Sequence, residues 1–223
     1  MVRSPAIEDY AKAIYAIAHR GDGPATTNAL AERLGVTAAS ASGMCKRLGE
    51  LGLVVHVPYK GVELTDDGER VALEVIRHHR LLELYLAESL DVPWDRVHAE
   101  AEVLEHVLSE ELEALIAAKL GNPTVDPHGD PIPTPELALA ADRTTALDRL
   151  AAGDVAIFSR VSDSDPAMLR YLAERGIRPG ARLRVTEVQP FGGPVVVDVD
   201  GHEHALGGNL AQRLRVERAE SSP

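Results

Sequence analysis

The chain has little cysteine: Cys45 is the single one in 223 residues. That excludes an internal disulfide and fits a reducing compartment. It also lacks any apolar run near the ~20 residues that span a bilayer. The opening MVRSPAIEDYAKAIY has neither the basic start nor the apolar core of a signal peptide. A cytoplasmic protein with no membrane partner is therefore expected. No Gly-rich phosphate cradle, nucleophile elbow, internal repeat or low-complexity tract is visible, so nothing points to a small organic substrate. Positive charge is scarce too. A net charge of −12 argues at first sight against nucleic acid, but the charge is unevenly spread. Residues 1–64 hold seven cations and six acids, a net +1, which leaves −13 for the rest. A near-neutral head on an acidic body can bind DNA if its cations share one side.

The patterning predicts a chain that is mainly α with a small β domain. Tyr10, Ile14, Tyr15 and Ile17 mark a helix from about Glu8 to His19. Thr27 is a candidate N-cap for a short helix from Asn28 to Leu34 that stops at Gly35. Thr37 caps the next helix, whose Ala41, Met44, Cys45, Leu48 and Leu51 line one side. Two β-rich runs, Leu53–Val57 and Val62–Leu64, flank a Pro-Tyr-Lys-Gly turn. That order is the layout of a winged helix-turn-helix.

A long helix then runs from Thr65 to about Ser89. A second begins at Pro93-Trp94, and a third follows Ser109 to Leu120. These helices carry more apolar surface than one small head can cover, so a helical dimer interface is expected. Residues 121–135 (GNPTVDPHGDPIPTP) predict a linker over the surface. About five short β runs with one helical insert, DPAMLRYLAERG, suggest a small β-barrel. The residues from Glu220 to Pro223 are expected to fray.

Metal-capable side chains recur at helical spacing. His79 and Glu83 stand four apart, and His98, Glu102 and His106 follow at intervals of four, with Glu105 beside the last. Residues three or four apart share a helix face. Two such faces brought together make a binuclear site for a divalent ion, with Asp9 offering one more carboxylate. Carboxylate and imidazole ligands suit Mn²⁺ or Fe²⁺. A solvated acidic face is the plainer alternative. His78 points away from His79 and is expected in solvent; His19, His56 and His128 read as surface residues. His202 and His204 flank Glu203 in a turn or strand where only adventitious metal binding is expected. Cys45 belongs to the core rather than to a redox switch.

Taken together, EDYAKAIY, KRLGELGLV, RHHRLLELYL, WDRVHAEAEVLEHVLSEEL, DPHGDPIP and SDSDPAMLRYLAERGIRPG resemble the diphtheria-toxin-repressor family of metal-dependent transcriptional repressors, and within it the manganese-responsive branch. The resemblance implies a winged helix-turn-helix DNA-binding domain (1–72), a helical dimerisation and metal-binding domain (73–140) and a C-terminal SH3-like domain of the FeoA type (148–219). It implies two metal positions per protomer: a regulatory site on Asp9, Glu102, Glu105 and His106, and a second on His79, Glu83 and His98 with a ligand from the SH3-like domain. Iron-responsive members usually have Met and Cys where this chain has Asp9 and Glu102, so Mn²⁺ is the expected ion and Fe²⁺ the alternative. Short manganese-responsive members carry a carboxylate where this chain has Lys12. In the SH3-like segment the matching pair is Asp165 and Met168; Asp165 is the expected ligand, with Asp163 as a substitute. A binuclear metallohydrolase is the remote alternative.

The expected partners are double-stranded operator DNA and a second copy of the chain. The helix from Thr37 should enter the major groove, presenting Ala38, Ala39, Ser40, Ser42 and Gly43. Such short side chains make few bidentate base contacts, so methyl contacts and DNA shape should share the specificity. Lys46, Arg47, Thr27, Asn28, Tyr59 and Lys60 are candidate phosphate contacts.

Overall fold

Pro5 opens the first helix, where its fixed φ and missing N–H are well suited. The computed structural model describes residues 4–19 and 23–219; the segment expected to fray, Glu220 to Pro223, lies outside them. The chain forms two units, one of residues 1–79, 104–110 and 133–138, the other of 80–103, 111–132 and 139–223.

In the first unit α1 (Pro5–Ile17), α2 (Thr27–Leu34) and α3 (Ala38–Glu50) precede a hairpin of β1 (Val54–Val57) and β2 (Gly61–Leu64). Their core gathers Ile7, Tyr10, Ile14, Leu30, Ala41, Cys45, Leu48, Val54 and Val62, so Cys45 packs as expected. The α2 cap differs from expectation. Thr26, not Thr27, takes the extended conformation and accepts from the Ala29 N–H, because with two adjacent threonines the cap falls to the one outside the helical dihedrals. Gly35, at φ 64°, ends α2 in the left-handed region and makes the tight turn. Thr37 caps α3 through the Ser40 N–H. The wing is fastened by paired bonds between Ala25 and Val62. Gly61, at φ 126°, permits that approach, since a Cβ there would lie 2.2 Å from the Ala25 carbonyl oxygen.

Thr65 then caps α4 (Asp66–Leu90), accepting from the Gly68 N–H, and Asp66, Asp67 and Glu69 favour the helix dipole. The part of α4 up to His79 belongs to the first unit. There His78 is buried rather than solvated, its Nδ1 3.2 Å from the Glu105 carbonyl oxygen. The helix face is wider than the 100° step between neighbours, so both histidines lie inside.

In the second unit the rest of α4 adjoins α5 (Val97–Leu104, whose last residue belongs to the first unit) and α6 (Glu110–Lys119, of which Glu110 does too). Helix α5 starts three residues later than Trp94, whose side chain lies in the sheet domain's core. That domain has β3 (Thr145–Ala146), β4 (Val155–Arg160), α7 (Pro166–Ala173), β5 (Arg182–Val188), β6 (Val195–Val199), β7 (His202–Leu206), a short α8 (Gly208–Ala211) and β8 (Arg215–Arg218). The sheet runs β3-β8-β4-β5-β6-β7, antiparallel throughout. It is an SH3-like sheet left open rather than the closed barrel expected. The two-residue β3 is too short to leave a period in the sequence.

The expected linker is built structure over part of its length. Asp126 and His128 are buried, and Ile132 is only 6% exposed. Asp126 Oδ1 accepts from the His128 and Asp130 N–H groups, which curls the backbone into a turn. Gly129, at φ 87°, lets that turn press on β4, where a Cβ would lie 1.8 Å from the Ser159 carbonyl oxygen. His128, expected at the surface, is fully buried for this reason.

Candidate metal centres and DNA-binding face

Helix α1 carries Glu8, Asp9 and Lys12 toward the segment 104–110, within the first unit. His106 Nε2 lies 3.0 Å from Asp9 Oδ1 and 3.6 Å from Glu105 Oε1. These donor atoms fall within 4.8 Å of one another, and all are the hard or intermediate ligands that Mn²⁺ and Fe²⁺ accept. The set therefore fits a divalent ion. Glu8, absent from the sequence expectations, accepts from His106 Nδ1 at 2.6 Å. That contact turns Nε2 toward the cluster, the usual office of a carboxylate behind a metal-binding histidine. Its only sequence signal is that it neighbours Asp9.

Glu105 is 1% exposed. Its Oε2 accepts from His79 Nδ1 and its Oε1 from the Lys12 ammonium at 2.6 Å. Burial works to raise its pKa, but the His79 and Lys12 contacts outweigh burial and hold it below the usual carboxylate value.

The second unit holds a second cluster. His98 Nδ1 lies 3.1 Å from Asp163 Oδ2 and 3.4 Å from Glu83 Oε1, while its Nε2 is 3.8 Å from Glu102 Oε1. Contacts to Asp163 and then Glu83 push the His98 pKa up to about 10, against the effect of burial. Behind Glu83, whose side chain is fully buried, His128 donates Nε2–H to the Trp94 carbonyl at 2.7 Å and turns Nδ1 to within 3.6 Å of Glu83 Oε2. Burial lowers the His128 pKa, but the Glu83 and Asp126 carboxylates outweigh burial and push it up to about 9. Burial, then Glu83 and Asp130, raise the Asp126 carboxyl well above its ordinary value, although Arg80 stands 3.8 Å away.

The two aspartates of the sheet domain that the sequence offers as ligands have different surroundings. Asp165 is the N-cap of α7: its Oδ1 accepts from the Ala167 and Met168 N–H groups, and Arg213 lies 3.9 Å from Oδ2. Met168 packs on the domain core. Asp163, two residues earlier, is the carboxylate that reaches His98. The sequence DSDP offers two aspartates, and the one directly before Pro166 is taken by the helix start.

On the DNA-binding face Asn28, Thr37, Ala38, Ala39, Ser40, Ser42, Gly43, Lys46 and Arg47 are exposed, and Thr27 is half-buried. The Thr37 and Ser40 hydroxyls lie 2.9 Å apart at the start of α3. Tyr59, at φ 63°, stands fully exposed at the tip of the wing beside exposed Lys60. His19 stacks on Tyr15, and His56 and His202 are exposed.

These features define a class: a winged helix-turn-helix fold with carboxylate–imidazole clusters able to hold a divalent ion. The N-terminal DNA binding domain of the iron dependent repressors matches residues 4–62. Their metal binding and dimerisation domain matches residues 65–134, and the FeoA domain matches 145–218. The iron-dependent repressor IdeR of Mycobacterium tuberculosis is 34% identical over 224 residues, covering 95% of this chain and 96% of that protein. The diphtheria toxin repressor of Corynebacterium efficiens is 30% identical, covering 96% and 95%. A solved manganese-dependent transcriptional repressor in complex with manganese is 43% identical, with a TM-score of 0.89 over 96% of this chain and 100% of that one. The chain belongs to the diphtheria-toxin-repressor family of metal-dependent transcriptional repressors. Members of this family repress transcription and are not enzymes, so the metallohydrolase alternative is set aside. Among the described residues no helix is long and apolar enough to cross a membrane.

Proposed function

We propose that the protein is a manganese-dependent, dimeric repressor that binds palindromic operator DNA when loaded with metal and controls metal-homeostasis genes. The observation that carries this reading is the convergence of Asp9, Glu105 and His106, which joins the first helix of the DNA-binding head to a segment nearly 100 residues away. A bound divalent ion would neutralise these carboxylates and favour the arrangement that holds α1. A gain of ~5.5 kcal/mol takes such a two-state equilibrium from roughly 1:99 to 99:1. The proposed regulatory ligands are Asp9, Glu102, Glu105 and His106. The proposed second set is His79, Glu83, His98 and Asp163, with Asp163 replacing the expected Asp165.

Support for Mn²⁺ comes from the absence of a thiol among these ligands, Cys45 being buried in the core, and from the manganese-bound relative. The relatives named iron-dependent repressors keep Fe²⁺ as the second reading. Support for dimerisation comes from Leu112 and Leu115, three apart on α6 and 49% and 62% exposed, in a region matched by a family dimerisation domain. Two heads on one palindrome recover the affinity that few cations deny to one. On the DNA the head would use Thr37, Ala39, Ser40, Ser42 and Gly43 in the groove. Thr27, Asn28, Lys46, Arg47, Tyr59 and Lys60 would hold phosphates.

Selection of genomic fragments by the purified protein tests this reading, run with Mn²⁺, with anaerobic Fe²⁺ and with chelator. A palindrome recovered with Mn²⁺ but not with chelator is the expected result. Recovery only with Fe²⁺ overturns the choice of ion, and equal recovery with chelator overturns metal dependence.

A further inference from the structure

We propose that Lys12 is a tethered counter-ion that competes with the divalent metal for Glu105 and so sets the metal concentration at which the regulatory site fills. The inference rests on the regulatory site proposed above and adds a residue to it that cannot be a ligand.

Lys12 stands three residues after Asp9 and four after Glu8, so the three share a face of α1. Its ammonium is 2.6 Å from Glu105 Oε1. That same oxygen is the one 3.6 Å from His106 Nε2, the ring nitrogen that Glu8 leaves turned toward the cluster. The other carboxylate oxygen accepts from His79. An ion drawing on both Glu105 and His106 from this side meets an ammonium already on the oxygen.

Burial makes this pair unlike a surface salt bridge. The Glu105 side chain has no exposed area and the Lys12 side chain keeps 19%. A carboxylate that deep is costly without a cation, and Lys12 supplies one when no metal is bound. An ammonium has three donors and no acceptor, so beside a metal it can only repel. Its four-carbon stem is flexible enough to swing the charge aside. Metal binding must therefore displace the Lys12 contact or bear its repulsion, and either weakens affinity. The pair also links α1 to a residue 93 positions away without metal, so part of the docking energy is present before the ion arrives.

The test is Mn²⁺ titration of the full-length dimer in competition with a chromophoric chelator, for the wild type, K12M, K12Q, K12R and H106A. K12M is expected to tighten apparent binding ~10-fold or more, because a like charge a few ångströms from the ion is removed. K12Q carries the same expectation should K12M fold poorly. K12R keeps the charge and should stay within ~3-fold of wild type. Neutral variants that bind Mn²⁺ no more tightly than wild type overturn the inference, as does K12R tightening as much as K12M. Should wild type and H106A bind Mn²⁺ alike, the regulatory site itself is overturned, an outcome separate from any shift at Lys12.

Discussion

The two clusters use the same residue types and draw on fixed and proton-borne charge in different proportions. In the first unit, the Lys12 ammonium and the His79 ring both lie on the buried carboxylate of Glu105. In the second, the positive charge near Glu83 comes from protons on His98 and His128, with pKa values of about 10 and about 9, and from Arg80 near Asp126. His128 makes the logic plain. Its Nε2–H is committed to a backbone carbonyl, so Nδ1 faces the Glu83 carboxylate favourably only when protonated. A fixed charge can only be moved aside, whereas a proton can leave. The first cluster is thus suited to setting a threshold and the second to coupling metal binding to pH.

The sharpest way to break this comparison is to remove one histidine from each cluster. His106→Ala deletes the donor that meets Asp9 of the DNA-binding head, so it should lower Mn²⁺-dependent operator affinity by ~100-fold or more. His98→Ala should cost ~10-fold, since its nearest contacts run to Glu83 and Asp163, which belong to the proposed second set. Fluorescence anisotropy on the selected operator, at fixed free Mn²⁺, measures both. Equal losses would mean that the clusters do not divide the work.

A smaller effect separates them by pH without metal. His98 and His128 have folded pKa values of about 10 and about 9, above their ordinary 6.5. Their contribution to stability is full below the unfolded value and is lost as pH rises through about 9 to 10. Glu105 is depressed below its ordinary 4.5, so its contribution is present above that value and is lost as pH falls through the lower folded one. Chelator-treated protein should therefore lose thermal stability on the alkaline side through the second cluster and on the acid side through the first. The melting midpoint followed from about pH 6 to about pH 10 tests the alkaline limb. A double His98→Gln, His128→Gln variant should flatten that limb. An unchanged limb in the double variant would refute the assignment.

The helices and strands were legible because their signals are local. Apolar spacing gave α1, α3 and α4, Thr37 marked the start of α3, and alternation gave β4 to β8. The metal-capable residues were legible from helical spacing and family resemblance together. What escaped depends on contacts between distant segments. Glu8 matters only because His106, 98 positions on, turns Nδ1 toward it. His128 looked like a loop histidine because burial of the 126–130 turn rests on Gly129 meeting β4, which no period encodes. Thr26 rather than Thr27 caps α2, and Asp163 rather than Asp165 lies beside His98, for one reason: adjacent or near-adjacent equivalents differ only in backbone dihedrals.

That last pair yields the finest test of the comparison. Asp165 accepts two backbone N–H groups at the start of α7, so Asp165→Ala should cost ~0.5–2 kcal/mol of stability, the ordinary loss for a helix cap. Metal affinity should stay nearly unchanged. Asp163→Ala removes the carboxylate 3.1 Å from His98, so any stability it costs near neutral pH should be the part that His98 protonation supplies and should vanish as pH rises through about 10. The second cluster, however, should lose ~10-fold in Mn²⁺ affinity and its His98 pKa should drop, since Asp163 is the largest cause of the rise. Urea unfolding of both variants, with Mn²⁺ titration and NMR titration of the His98 ring, separates the roles. A drop in metal affinity confined to Asp165→Ala would return the ligand to Asp165 and leave Asp163 as a partner of His98 in the metal-free protein alone.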